Sequence, residues 1–250
     1  MLFRPTVPAD APDLMRVSAF QRQLDAELST GAGAWNTRRS LLDSQLGSSL
    51  MQDLTRFERD GHKGELIEVL AACVRHGRGL LVQLQVGERL LPLTVFPSEG
   101  LLHMPLPFER FLELRLDDLR VLSYEAPTMR PPGPPRHGLA RLIPSDAPLL
   151  LPLAPLLWEL ALRGSRDDLL PEIAGSAAYR IAPGLDLKLL KLTGTLAAAA
   201  ERLQRDTCNL REIASWPGFD RQRAMRMLNG LYLQGGLIVS RSHPAASGRG

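Results

Sequence analysis

The sequence predicts an α+β protein, with N-terminal helices and an antiparallel β-meander, a Pro-rich linker and a mostly helical C-terminal domain. Three observations support this class. Apolar residues recur at helical spacing before residue 77, and from residue 79 they alternate with polar residues as in a half-buried strand. Five prolines and two glycines interrupt the periodic pattern at residues 126–138. With 250 residues, the chain can form two domains that each bury a core.

The composition limits the classes of protein to which this chain can belong. Hydrophobic residues make up 44% and charged residues 23%, which is typical of a globular protein. The net charge of +3 excludes a uniformly basic coat for nucleic acid but allows a local basic patch. Aromatic residues make up only 5%, which argues against a single-strand binder with exposed stacking platforms.

Residues 1–126 are predicted to form an α+β domain that senses a signal or docks a partner. Apolar spacing predicts helices near residues 13–28, 38–59 and 64–76. Gly77 follows the third helix, where a left-handed C-terminal cap belongs.

Four antiparallel strands are predicted after these helices. They lie at residues 79–86, 89–96, 101–106 and 119–125 and should form a meander. Gly87 is the first central residue of a two-residue hairpin turn between the first two strands. Pro92 cannot donate a backbone hydrogen bond, which predicts a sheet edge or a bulge at that point.

Residues 127–138 are predicted to be a semi-rigid linker because they are rich in proline and lack apolar periodicity. The alternative, a Pro-rich ligand for another domain, would need a fuller P-x-x-P register. The second domain is predicted at residues 139–250. Within it we expect helices at 153–162, 167–173 and 195–205, a short strand at 179–182, and a strand or a helix at 185–192.

Residues 210–242 carry the pattern of a helix, a tight turn, a second helix and a strand. Ala214 is small enough to let the two helices cross closely, and Gly218 tolerates the positive φ that the turn requires. Pro217 disfavours helix at the residue before it and so ends the first helix. Asp220 is placed to cap the second helix.

The second helix is predicted at residues 221–234, with a buried stripe of Ala224, Met225, Leu228, Leu231 and Tyr232. Gly235 and Gly236 end it, and residues 237–239 would begin a wing. The stretch LNGLYLQGGLIVSRS is similar to the LxxLxxxGLIxR ending of MarR-like winged helices. The resemblance covers about residues 195–243 and implies that the C-terminal domain ends in a winged helix.

Residue types on the second helix predict contacts with double-stranded DNA. Gln222, Arg223 and Arg226 are suited to hydrogen bonding with base edges in the major groove, and the phosphates would be neutralised by Arg211, Arg221 and Arg241. Asn229 shares the face of Arg223 and Arg226 and completes the predicted DNA-binding set. Residues 207–250 contain six arginines against two acidic residues, a net charge of +4.

We therefore predict a cytoplasmic DNA-binding transcriptional regulator, as a homodimer if its operator is symmetric. The alternative is an adaptor whose degenerate winged helix docks another protein. Trp216 and Phe219 near the front of the motif favour this alternative, because they suggest packing rather than a polar groove face.

No residue pattern predicts an enzyme, a cofactor or a metal site. Cys73 and Cys208 lie far apart without a C-x-x-C motif. The histidines at 62, 76, 103 and 137 lack ligand spacing. The acidic pairs at 117–118 and 167–168 are interpreted as turn or helix-start residues. The most apolar stretch, residues 149–162, is too short to span a bilayer and contains two prolines, so no membrane association is expected.

Overall fold

The computed structural model describes residues 14–29, 46–58, 63–129 and 150–247. These residues form eight α-helices, a five-stranded antiparallel sheet and a three-stranded antiparallel sheet, which confirms the predicted α+β class. The chain divides into two compact units, Met1–Leu153 and Ala154–Gly250. Most of the predicted linker, the start of the predicted second domain at residue 139, His62 and His137 lie outside the described residues.

The described residues of the first unit begin with three helices that overlap the predicted ones, and residues 38–45 of the second predicted helix lie outside the described residues. The three helices are α1 (Val17–Ser29), α2 (Ser48–Phe57) and α3 (Leu66–His76), and α2 packs against α3. Gly77 ends α3 with φ 58°, as its position predicted, because glycine adopts the left-handed cap without a steric penalty.

The five-stranded sheet of this unit has the order β4-β1-β2-β3-β5. Its strands are β1 (Leu80–Val86), β2 (Arg89–Phe96), β3 (Leu101–His103), β4 (Arg120–Glu125) and β5 (Leu150–Pro152). The first three form the predicted meander, whereas β4 returns to pair with β1 instead of extending the meander beyond β3. The short helix α4 (Phe108–Leu112) and the strand β5 were not predicted.

The hairpin between β1 and β2 forms as predicted, with Gly87 at φ 57° and Val86 opposite Arg89. Pro92 lies opposite Gln83 in β2, which is an internal strand. However, β3 pairs only with residues 94–96 of β2, so Pro92 lies beyond the end of β3. The missing N–H therefore costs no ladder hydrogen bond. Leu80, Val82 and Leu84 on one side of β1 are fully buried and form the core of this sheet.

The second unit contains four helices and three strands. They are α5 (Leu153–Arg163), β6 (Ala178–Ile181), α6 (Gly194–Arg205), β7 (Cys208–Asn209), α7 (Leu210–Ala214), α8 (Arg221–Leu233) and β8 (Leu237–Ser240). Four short 3-10 helices complete the described structure of the chain, at Pro97–Glu99, Leu116–Asp118, Lys188–Leu190 and Pro244–Ser247.

Two predicted elements of this unit differ in the structure. The predicted helix at 167–173 is wrong, since these residues form irregular backbone with one turn at 171–173. The segment at 185–192, for which strand and helix were both open, forms only the 3-10 turn Lys188–Leu190. Among the described residues, no helix is long and apolar enough to cross a membrane.

Candidate functional site

The turn between α7 and α8 is built by local caps that the sequence encodes. Asn209 Oδ1 accepts a 2.9 Å hydrogen bond from the Glu212 N–H, and Glu212 Oε2 accepts a 2.8 Å bond from the Asn209 N–H. This reciprocal pair fixes the start of α7. Gly218 adopts φ 75° in the turn, and Asp220 Oδ1 accepts from the Arg223 N–H at 2.7 Å. The predicted turn glycine and helix cap are both confirmed.

The three-stranded sheet beside these helices has the order β7-β6-β8. Its central strand, β6, precedes both helices of the motif in the chain. The predicted wing would place a strand after β8, but within the described residues β8 is followed only by the 3-10 turn Pro244–Ser247. β6 occupies the position beside β8, and the register runs from Ala178 opposite Ser240 to Ile181 opposite Leu237.

Helix α8 is exposed only over its first turn. Arg221, Gln222 and Arg223 are exposed, and Arg226 and Tyr232 are half-buried. All other residues of the helix are buried: Ala224, Met225, Met227, Leu228, Asn229, Gly230, Leu231 and Leu233. The predicted apolar stripe is thus buried, except that Tyr232 is only partly covered. Burial also extends to the polar face on which DNA contacts were predicted.

Gly230 allows α5 to approach this face of α8. A Cβ at position 230 would lie 2.6 Å from Trp158 Cε3 and 3.4 Å from the Ala161 Cβ. Trp158 is 4% exposed, so the indole ring fills the space left by the missing side chain. Glycine in the middle of a helix lowers its stability, but at this position the absence of a Cβ lets the two helices pack closely.

Asn229 is fully buried and binds the irregular segment that follows α5. Its Oδ1 accepts a 2.8 Å hydrogen bond from the Leu170 N–H, and its Nδ2 donates a 2.9 Å bond to the Asp168 carbonyl. These bonds satisfy backbone groups that a helix at 167–173 would have paired internally. Since Asn229 has no exposed surface, it is not available for the predicted contact with DNA in this conformation.

Gln222 and Arg226 contact the same segment. Both donate to Asp167 Oδ1, with Arg226 Nη2 at 2.8 Å, and Arg226 Nη1 donates to the Leu162 carbonyl. Hydrogen bonds from Arg226 and then from Gln222 lower the pKa of Asp167. The Arg226 side chain is only 18% exposed. Two of the three residues predicted to read bases are therefore bound to the unit's own chain.

Arg223 is exposed but is also held in place. Its Nη2 donates a 2.9 Å hydrogen bond to Thr195 Oγ1, and its guanidinium lies 5.3 Å from the centre of the Phe219 ring. Phe219 makes an edge contact with Trp216, with ring centres 6.2 Å apart, and the Arg202 guanidinium lies 4.7 Å from the Trp216 ring. The two aromatic residues thus pack against each other, with an arginine on each.

The remaining predicted phosphate contacts have different environments. Arg211 on α7 and Arg221 at the start of α8 are both exposed. Arg241, after β8, donates to the carbonyls of Ala174 at 2.8 Å and Glu172 at 3.2 Å. It therefore fixes the chain just before β6. The surface around the turn retains exposed positive charge at positions 211, 221 and 223.

Two clusters of polar side chains connect separate elements in the described part of the first unit. Asp53 Oδ2 lies 2.9 Å from both Arg75 Nη2 and His76 Nε2, which joins α2 to the end of α3. Glu58 accepts hydrogen bonds from Lys63 Nζ at 2.7 Å and Tyr124 Oη at 2.5 Å. Among the described residues, no group of three or more potential ligands is arranged to hold a metal ion.

No protein-family model, curated protein or solved structure matches this chain.

Three residues that cover the predicted DNA-binding face of α8 were not identified from the sequence: Trp158, Asp167 and Gly230. A glycine in the middle of an otherwise strong helix was the one available signal, since it often marks close packing. The hydrogen-bond partners of Asn229 could not be predicted from the sequence, because they are backbone groups about sixty residues away in the chain.

Proposed function

We propose that this chain is a non-catalytic adaptor whose C-terminal helix-turn-helix binds a protein partner instead of reading base pairs. The burial of α8 beyond its first turn, where only Arg226 and Tyr232 keep partial exposure, carries the proposal. A recognition helix must present side chains to base edges while it lies in the major groove. Here the face of Arg226 and Asn229 is covered by α5 and residues 162–170 of the same unit.

The module keeps the helix–turn–helix–strand order on which the resemblance to winged helices rests, with β6 in place of a wing strand. We infer that this is a degenerate winged helix that serves as a docking scaffold. Its outer surface at the turn combines exposed arginines with the half-buried Phe219. Aromatic and arginine side chains are enriched at protein interfaces, and the positive charge favours a partner with an acidic surface.

A DNA-binding regulator is the second candidate, because Arg211, Arg221 and Arg223 are exposed around one turn. Such a protein would contact mainly phosphates, which gives binding that depends steeply on salt and weakly on sequence.

Titration of the full chain with mixed-sequence duplex DNA separates the two functions. The adaptor proposal expects no saturable binding at low salt, and no difference between the wild type and the triple variant Arg211→Ala, Arg221→Ala, Arg223→Ala. Binding that falls steeply with salt and is lost in the triple variant would instead establish the DNA-binding function.

Site-specific photocrosslinking in the source cells tests the adaptor directly. A photoreactive residue at position 221 should crosslink one stoichiometric protein, whereas the same residue at exposed position 201 on α6 should not. Equal crosslinking at both positions would contradict a docking surface at the turn.

A further inference from the structure

The two edges of the three-stranded sheet differ in how they are protected. The β7 edge has only two residues, and beside it Asn209 Nδ2 donates a 2.9 Å hydrogen bond to the Ala245 carbonyl in the last 3-10 turn. A short and covered edge is a common protection against pairing with another strand. The β8 edge has four residues, and no described strand pairs with its outer side.

The hydrogen-bond phase of β8 shows which backbone groups face outward. The Ala182 N–H donates to the Gly236 carbonyl at 2.8 Å, so residue 236 belongs to a hydrogen-bonded pair with the β6 side. In an antiparallel ladder such pairs alternate. Positions 238 and 240 therefore also bond to β6, and the N–H and C=O groups of Leu237 and Val239 point away from it.

The side chains of β8 are compatible with an apolar contact between this edge and another strand. Ile238 is 46% exposed, and Leu237 and Val239 are half-buried, although they share a side with the buried Ile181 and Tyr179 to which they are paired. No residue of β8 is charged and none is proline. It therefore lacks the side chains that natural edge strands use to prevent association.

We propose that two copies of this chain associate through β8, antiparallel, with Val239 opposite Val239 of the second copy. The two small sheets then form one continuous six-stranded sheet. This inference does not depend on what the turn at α7 and α8 binds.

Symmetry favours a second copy as the occupant. A two-fold axis perpendicular to the sheet places a residue opposite its own copy, and side chains on directly opposite residues then share a face. Because Val239 presents its N–H and C=O outward, this register forms hydrogen bonds at the axis, and the outward groups of Leu237 face the residue that follows β8 in the second copy. Arg241 lies opposite Leu237 of the second copy, so no like charges are directly opposite at the seam.

The register can be tested with cysteines, in a background carrying Cys208→Ser. Residues in a hydrogen-bonded antiparallel pair have Cα atoms about 5.5 Å apart, which is within the range of a disulfide. We expect Val239→Cys to form a disulfide-linked dimer under mild oxidation and Ser240→Cys, which lies opposite position 238, to form little. Equal crosslinking of the two variants would overturn the register.

Sedimentation equilibrium of the full chain tests the association itself. The wild type should show a dimer whose population rises with concentration. Ile238→Lys should weaken the dimer by about tenfold or more, whereas Leu189→Lys, a matched change at another exposed aliphatic residue (56%), should not. A wild type that stays monomeric throughout, or equal association of the two lysine variants, would overturn the proposal.

Discussion

Gly230 of α8 lies directly against the indole ring of Trp158 in α5. A Cβ at position 230 would come within 2.6 Å of the ring, which is far inside van der Waals contact. The two helices therefore approach more closely than any larger residue at position 230 would permit. This contact helps to cover the face of α8 on which the sequence predicted DNA contacts.

We expect Gly230→Ala to destabilise the protein despite the better helix propensity of alanine. Propensity alone would stabilise the helix by about 1 kcal/mol, but overpacking against a buried ring costs about 1–3 kcal/mol. The free energy of unfolding from urea denaturation, followed by circular dichroism, should therefore fall or at best stay unchanged.

A double-mutant cycle isolates the cause of this effect. In a Trp158→Leu background the ring is absent, so adding Gly230→Ala should raise the free energy of unfolding. A destabilisation of equal size in both backgrounds would show that contact with the ring is not the reason.

Replacing Asn229 by Ala should destabilise the second unit strongly. The change leaves the buried Leu170 N–H without its hydrogen-bond partner, whereas the Asp168 carbonyl still accepts a 3.0 Å bond from Arg166 Nε. An unpaired buried backbone N–H costs about 1–3 kcal/mol, so we expect a loss of about that size in urea denaturation. Gln222→Ala on the exposed first turn is the control and should change stability little. Similar small losses for both variants would contradict a structural role for Asn229.

The stability of the first unit should depend on the charge of Asp53. Burial raises the pKa of this carboxyl, but hydrogen bonds from His76 and Arg75 outweigh burial and hold the net pKa below its ordinary value of 3.8. A carboxyl whose pKa is lower in the folded state stabilises the fold fully above the ordinary value. That contribution is lost as the pH falls through the lower, folded-state pKa.

We therefore expect Asp53→Asn to lower the free energy of unfolding at neutral pH by about 1 kcal/mol. The difference from the wild type should shrink as the pH falls below about 4. Asp118→Asn, which removes an exposed carboxylate, serves as the control. Urea denaturation across this pH range measures the effect, and a difference that grows towards acid would have the wrong sign for this linkage.

The reactivity of Cys73 should report on the opening of the first unit. Burial raises the pKa of the Cys73 thiol to about 12 and also raises that of Cys208, and the thiolate is the reactive form. In a Cys208→Ser variant, we expect Cys73 to react with a thiol reagent only at the rate at which the first unit unfolds. Reaction within seconds under native conditions would show that this helix is open.

The second unit shows which parts of this fold local sequence could predict. Gly218 and Asp220 act within three or four residues, and the turn and the cap that they form were predicted from spacing alone. The same is true of Gly77 and of the Gly87 hairpin in the first unit. In each case, backbone geometry restricts the residue type at one position. The Asn209–Glu212 pair is equally local, but it was not predicted.

The failures arise where distant segments compete for the same backbone. Residues 167–173 have helical spacing, but Asn229 binds their N–H and C=O groups and holds them in an irregular path. Contact of Arg226 with DNA stays a prediction, but its type and position could not show that its guanidinium binds Asp167 and the Leu162 carbonyl. Such pairings depend on tertiary contacts, which override local propensity.

The position of β6 in the chain determines which fragment of this unit can fold on its own. Its central strand comes from residues that precede α6, and β8 pairs only with that strand among the described parts of the sheet. A fragment that starts at α6 would keep every helix of the motif but lose the neighbour of both β7 and β8. A fragment that folds on its own must therefore start before β6. An insertion into the loop between β6 and α6 should destabilise the unit less than a truncation that removes β6.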